Sequence, residues 1–163
     1  MRKILIGLII IVVQQGIMSV EKKIDFNQLA KEAFPEGNLG SRDKIDKLWV
    51  ELFQLKEWLF LMSPKSAKQM QPSAQMIDGK GWLLVFTDSD KLHEYAKKNN
   101  NLDEKGNSLF LSIPSDKARE YVNKYLNSQV FGVRFNEGAD HGWFSPVKNI
   151  QLIFDHLKKN KKL

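Results

Sequence analysis

An α+β fold is what this sequence predicts: a single domain with a mixed sheet of about four to six strands and helices packed on it. Three observations point there. From residue 41 onward, short apolar runs bounded by Gly, Pro, Asn and Ser alternate with amphipathic segments of helical period. One run, Trp82–Phe86, is apolar throughout rather than alternating, the pattern of a strand covered on both faces. The 163-residue length, with 42% apolar and 27% charged residues, suits one globular core and is too short for two large ones.

Each element follows from local pattern. Residues 1–17 hold two basic residues, Arg2 and Lys3, before the apolar run Ile4–Val13. That is the shape of a signal peptide, and the run falls short of the ~20 residues a membrane helix needs. An equal reading is translated upstream sequence before a true start at Met18, which would make the protein cytoplasmic; an export signal would make it exported or anchored. Residues 18–40 form an N-terminal lead. Within it "DFNQLAKEAF" (25–34) reads as a short helix, with Phe26, Leu29, Ala30 and Phe34 apolar, and "PEGNLG" ends it.

The domain proper spans 41–163. Ser41 is the expected N-cap of a helix whose buried face carries Ile45, Leu48, Trp49, Leu52 and Phe53. "EWLFLM" is a strand, and 65–75 is polar, without period, and expected to be a loop. Asp78-Gly79 marks a hairpin turn into Trp82–Phe86. Three strand–helix units follow, the last helix opening at "SPVKNI", with Ser145 as expected N-cap and Pro146 at the first helical position. Ser89-Asp90-Lys91-x-x-Glu94-Tyr95 recurs as Ser115-Asp116-Lys117-x-x-Glu120-Tyr121, each time just after a strand. Shared capping chemistry explains it as well as duplication does, and the tyrosine hydroxyls are expected to be wet.

Charge and composition exclude several functions. The absence of cysteine removes disulfides, thiolate metal sites and cysteine nucleophiles. The formal charge of +6 is partly carried by the two ends, where Lys158, Lys159, Lys161 and Lys162 close a helix as a solvated tail. A nucleic-acid interface would gather cations with aromatics on one face, so no nucleic-acid partner is expected. His93, His141 and His156 lack metal-site spacing, and His93 and His156 are expected to face solvent. No Gly-rich phosphate cradle is present, so neither metal nor cofactor is expected.

The most polar cluster is "FNEGADHGWFSP", residues 135–146. Asp140 and His141 with Ser145 could form a hydrolytic set, but Ser145 is wanted as a cap and no nucleophile elbow is present. Asn136, Glu137, Gly138, Asp140 and Gly142 are turn formers. Strand C-termini and helix N-termini gather where this loop meets the start of the 89–98 helix, the edge at which ligands bind in α/β folds. The candidate binding set is therefore Asp88, Asp90, Asp140, His141 and Trp143, with no catalytic residue. Trp143 is read either as a plug in the core or as half of a recognition patch with Phe144.

The chain also resembles the SseB N-terminal-domain family, the enhanced serine sensitivity proteins of bacteria. The hallmark strand end is matched by Val85-Phe86-Thr87-Asp88, and the glycine-containing strand with its turn by Gly132-Val133-Arg134-Phe135-Asn136-Glu137-Gly138. Glu137 stands where proline is common. The resemblance covers 41–157 and rests on strand ends and turns. It implies an α+β domain of bacterial origin without enzymatic activity; joined to the loop edge above, the preferred reading is a domain that binds a protein partner. A toxin-blocking immunity protein and a small hydrolase using His141 are the other classes left open.

Overall fold

The computed structural model describes residues 23–163; the readings of 1–17 and of the start at Met18 lie outside them. The elements run α1 (Phe26–Ala33), α2 (Arg42–Phe53), β1 (Glu57–Met62), α3 (Pro64–Ala67), β2 (Ala74–Ile77), β3 (Lys80–Phe86), α4 (Ser89–Lys98), β4 (Leu109–Pro114), α5 (Ser115–Asn123), β5 (Val130–Phe135), β6 (Trp143–Pro146) and α6 (Val147–Lys159). The strands form one mixed sheet in the order β4-β1-β3-β5-β6, with β2 pairing along the same edge of β3 as β1. Only β3 and β5 are parallel neighbours. This is the expected α+β architecture, and among the described residues no helix is long and apolar enough to cross a membrane.

Alternation along β1 and β3 gives the sheet two buried faces. Trp58, Phe60, Leu83, Val85, Val133 and Phe135 point to the larger core, which α1, α2, α5 and α6 complete. Leu59, Leu61, Trp82, Leu84 and Phe86 point the other way, where Leu92 and Ala96 of α4 meet them. The N-terminal lead is part of this assembly: Phe26, Leu29, Ala30 and Ala33 all lie in the larger core.

Several local expectations are corrected. The 65–75 stretch is not all loop: it overlaps the short helix α3 and runs into β2 at Ala74, and α3 is closed by reciprocal bonds in which the Ser66 amide donates to Ser63 Oγ and the Ser63 amide to Ser66 Oγ. Ser41 sits at the N-cap of α2 but makes no capping hydrogen bond. Ser145 is no cap either. It lies in β6 opposite Val133, and the N-cap of α6 is Pro146. A strand ladder with β5 satisfies the backbone of 143–146, which outweighs one capping bond. Proline at 146 is tolerated because β6 is the sheet edge.

The repeated Ser-Asp-Lys pattern also serves two different ends. Asp88, one residue before it, caps α4 by accepting from the Lys91 amide, whereas α5 has no side-chain cap. Tyr95 packs on Phe86 of the smaller core and its hydroxyl donates to Gln75 Oε1 at 2.8 Å. Tyr121 packs on Phe60 of the larger core, where burial pushes its phenol well above the ordinary value. The hydroxyls are therefore engaged or half-buried rather than wet.

A β-bulge between β3 and β5 shapes the rest. Gly81 faces Val130 but Trp82 faces Gly132, so Phe131 is the extra residue and turns onto the Trp82 ring, 5.0 Å between centroids. Gly132 is required beside it, since a Cβ there would stand 2.6 Å from Trp82 and 2.5 Å from the Ser145 carbonyl oxygen.

Lys158, Lys159 and Lys161 of the C-terminal tail are exposed as expected, but Lys162 is tied down. Asp46 on α2 is only 4% exposed, and Lys162 Nζ, His156 Nε2 and Arg42 Nε converge on it at 2.9, 3.3 and 3.1 Å. His156 is thus half-buried against Asp46, whereas His93 is exposed as expected. Burial pushes the Asp46 carboxyl up, but bonds from Lys162 and His156 and the charge of Arg42 hold it below its ordinary 3.8. A carboxyl depressed in the folded state contributes stability above its unfolded pKa and loses it as pH falls through the folded one. Asp46→Asn should therefore cost about 1–3 kcal/mol at neutral pH. Urea unfolding should show the gap to wild type closing as pH falls below the ordinary carboxylate range; a gap unchanged down to the acid transition would sink this account.

Candidate functional site

The 135–146 stretch leaves β5, turns, and returns as β6. Its first residue after β5, Asn136, is fully buried and held at a φ of 51°. Asn tolerates this left-handed conformation better than most residues. Its own amide donates to the Val85 carbonyl at 2.9 Å, and its Oδ1 accepts from the Thr87 amide at 2.9 Å. Its Nδ2 meets Thr87 Oγ1 at 3.0 Å. The carbonyl of Asn136 accepts from the Ala139 amide to close the turn. The side chain therefore clamps the C-terminal ends of the parallel strands β3 and β5 together, a long-range task instead of the local turn bond expected of it.

Asp88 follows Thr87 and is likewise committed. It caps α4 and pairs with the Lys91 ammonium. Burial pushes its carboxyl up, and the Lys91 side-chain and backbone bonds outweigh that, holding it below the ordinary range. Asp90 is exposed and pairs with Lys23 at 3.3 Å. Asp88 is thus occupied by structure, while Asp90 stays open to solvent in a surface pair.

The other three candidates stand elsewhere. Asp140, His141 and Trp143 line a cleft of about 1010 Å³ whose opposite wall is α1 and the turn after it, including Phe34 and Leu39. Asp88 and Asp90 do not line it. Asp140 is exposed and His141 half-buried. Trp143 is 5% exposed and stacks between Phe26 and Phe135, at 5.9 and 5.1 Å between centroids. Of the two readings of Trp143 the core plug holds and the recognition patch does not: it sits in the larger core, and its buried Nε1 has no partner among the described residues.

Because 143–146 is a strand, Trp143 and Phe144 point to opposite faces. Phe144 is 58% exposed and lies on the smaller-core face, edge-on to Trp82 at 5.4 Å. Phe131, 39% exposed, flanks the same indole. Arg134 lies 4.8 Å from the Trp82 ring and 5.8 Å from that of Phe144, with Glu137 paired to its Nη1 at 3.1 Å. Lys80 sits 4.2 Å over Phe131. The helix α4 packs on β1 and β3, and among the described elements none packs across this β5–β6 half of the face. Phe131 escaped sequence reasoning because a bulge decides its face. For Phe144, the alternating "WFSP" was the available signal.

Ser145 is buried and its hydroxyl donates to the Pro146 carbonyl at 3.2 Å. Among the described residues no group of His, Asp or Glu has metal-binding geometry. Comparison with protein families and with curated proteins finds no match for this chain.

The clamp is testable by itself. Asn136→Gly keeps the φ but removes the side-chain bonds to Thr87, and it should lower unfolding free energy by about 2–3 kcal/mol. His141→Ala should stay within about 0.5 kcal/mol of wild type. Chemical denaturation of both variants checks this, and an Asn136→Gly protein as stable as wild type would remove the clamp from the argument.

Proposed function

We propose that this chain is a non-enzymatic, cytoplasmic binding domain of the SseB N-terminal kind that recognises a protein partner. The observation that carries this reading is the half-covered sheet face, where Phe131 and Phe144 stand exposed around a buried Trp82 with Arg134 against the rings. Exposed aromatics and arginine around a buried tryptophan match the composition of interface centres, while scattered single apolar residues need no explanation. Phe144 also lines the cleft with His141 and Asp140, so the patch and the cleft share an edge.

Two further points support the reading. The strand ends that carry the family resemblance are the ones Asn136 and Thr87 lock together, so those residues are accounted for by structure and require no chemistry. A hydrolase would need a base in contact with a nucleophile. Ser145 is instead turned to the Pro146 carbonyl within β6.

Replacing Phe131 and Phe144 together by Ser should leave the fold intact and weaken partner capture from the protein's own cells by about a hundredfold, with two interface aromatics lost. His141→Ala should weaken it less. Trp143 is unsuited to this test, since its loss would disturb the core. Unchanged capture of the same partner by the double variant would rule out the patch as the contact.

A further inference from the structure

A second cavity, of about 350 Å³, opens between the C-terminal end of α2, the start of α5 and the middle of α6, apart from the patch and the cleft. One wall is apolar, formed by Leu55 with Phe53 and Phe154, which are edge-to-face at 5.3 Å. Its polar side chains are two cations, Arg119 and Lys56, the Ser115 hydroxyl and one carboxylate, Asp116. The half-buried Arg119 guanidinium lies 3.9 Å over Phe154, and its Nη1 donates to Gln151 Oε1. Among the described residues no carboxylate lies within ion-pair distance of Arg119 or Lys56, the two cations lining the cavity.

The third donor set is the start of α5. The Ser115 amide donates to the Lys56 carbonyl at 3.2 Å, but no side chain caps the amides that follow. The first-turn amides of a helix are unsatisfied within it and carry the positive end of its dipole. Ser115 itself lines the cavity at 6% exposure, and its hydroxyl is buried without a hydrogen-bond partner among the described residues. An orphaned buried hydroxyl is costly, and a fold tolerates one where a ligand can satisfy it. Asp116 is the one opposing charge in the lining.

From this convergence we infer that the cavity binds a small phosphate-bearing molecule with an apolar body. Arg119, Lys56, the Ser115 hydroxyl and the first-turn amides of α5 supply donors to the three phosphate oxygens. Phe53 and Phe154 flank the apolar body. A guanidinium held by ring stacking and one amide keeps its remaining donors preorganised, which suits a multi-oxygen anion better than a single-point contact.

The test is titration of the full chain with phenyl phosphate at fixed ionic strength, followed by amide chemical shifts. Inorganic phosphate and phenol are run in parallel. Saturable shifts at Lys56 and residues 115–119 are expected, with inorganic phosphate binding at least tenfold more weakly and phenol producing none. Arg119→Gln should weaken phenyl phosphate about tenfold, as loss of one charge-assisted bond does. Asp116→Asn should tighten it about threefold by removing a like charge. Should Arg119→Gln fail to fold, exposed Lys56→Gln is the substitute and should weaken binding by several-fold. Wild-type affinity in Arg119→Gln or Lys56→Gln, weaker binding in Asp116→Asn, or shifts confined to the lysines after residue 157 would overturn the site. Equal affinity for inorganic phosphate would overturn the apolar half of the ligand.

Discussion

Burial of β3 on both faces is the constraint from which the rest of this structure follows. Trp82, Leu84 and Phe86 face one side while Leu83 and Val85 face the other, and all five are buried. Each such side chain contributes about 1.5–3 kcal/mol on leaving water, so exposing either face would forfeit several of them. One sheet with helices on a single face could not satisfy that. The chain answers with α1, α2, α5 and α6 over one side and α4 over the other, with the single turn of α3 at the end of β1, an uneven division that leaves the β5–β6 half of the second face without a helix.

The crossovers show how such a division arises from nearly identical local sequence. From β3 the chain passes through α4 to β4, two positions along the sheet, and then returns through α5 to β5 on the far side of β3. Strand-to-parallel-strand crossovers keep one hand, so a step outward and a step back must run over opposite faces. The Ser-Asp-Lys helices after β3 and β4 obey this: Tyr95 meets the smaller core and Tyr121 the larger. Nothing in the five shared residues specifies a face, because both helices present the same amphipathic stripe.

The polar cluster at 135–146 shows the opposite relation between sequence and role. Its turn formers do make a turn, and the buried one, Asn136, spends its amide on Thr87, 49 residues away in sequence. Asp88 is taken by its cap and Asp90 by Lys23, while Trp143 is taken by the core. Within 135–146 the side chains left exposed are Asp140 and, one residue after Trp143, Phe144. Polar residues drew the eye, but the aromatic between them is what the fold leaves uncovered.

By itself the sequence determined the α+β class, the helix at 25–34, the hairpin at Asp78-Gly79 and the doubly buried strand Trp82–Phe86. These rest on hydrophobic period and turn chemistry, which act over a few residues. It also determined that histidine spacing offers no known metal motif. Tertiary structure alone decided that 143–146 is a strand and not a cap, since the pairing partner lies in β5. The same holds for the bulge that turns Phe131 onto Trp82, for the face on which each helix lies, and for the salt-bridged burial of Asp46 by a tail that reads as solvated. The cavity at Ser115 belongs in this group too, because its lining comes from α5, α6 and the end of α2 with the turn after it, which are far apart in the chain. Each depends on contacts between residues distant in the chain, and local pattern carries no record of which distant segment supplies the partner.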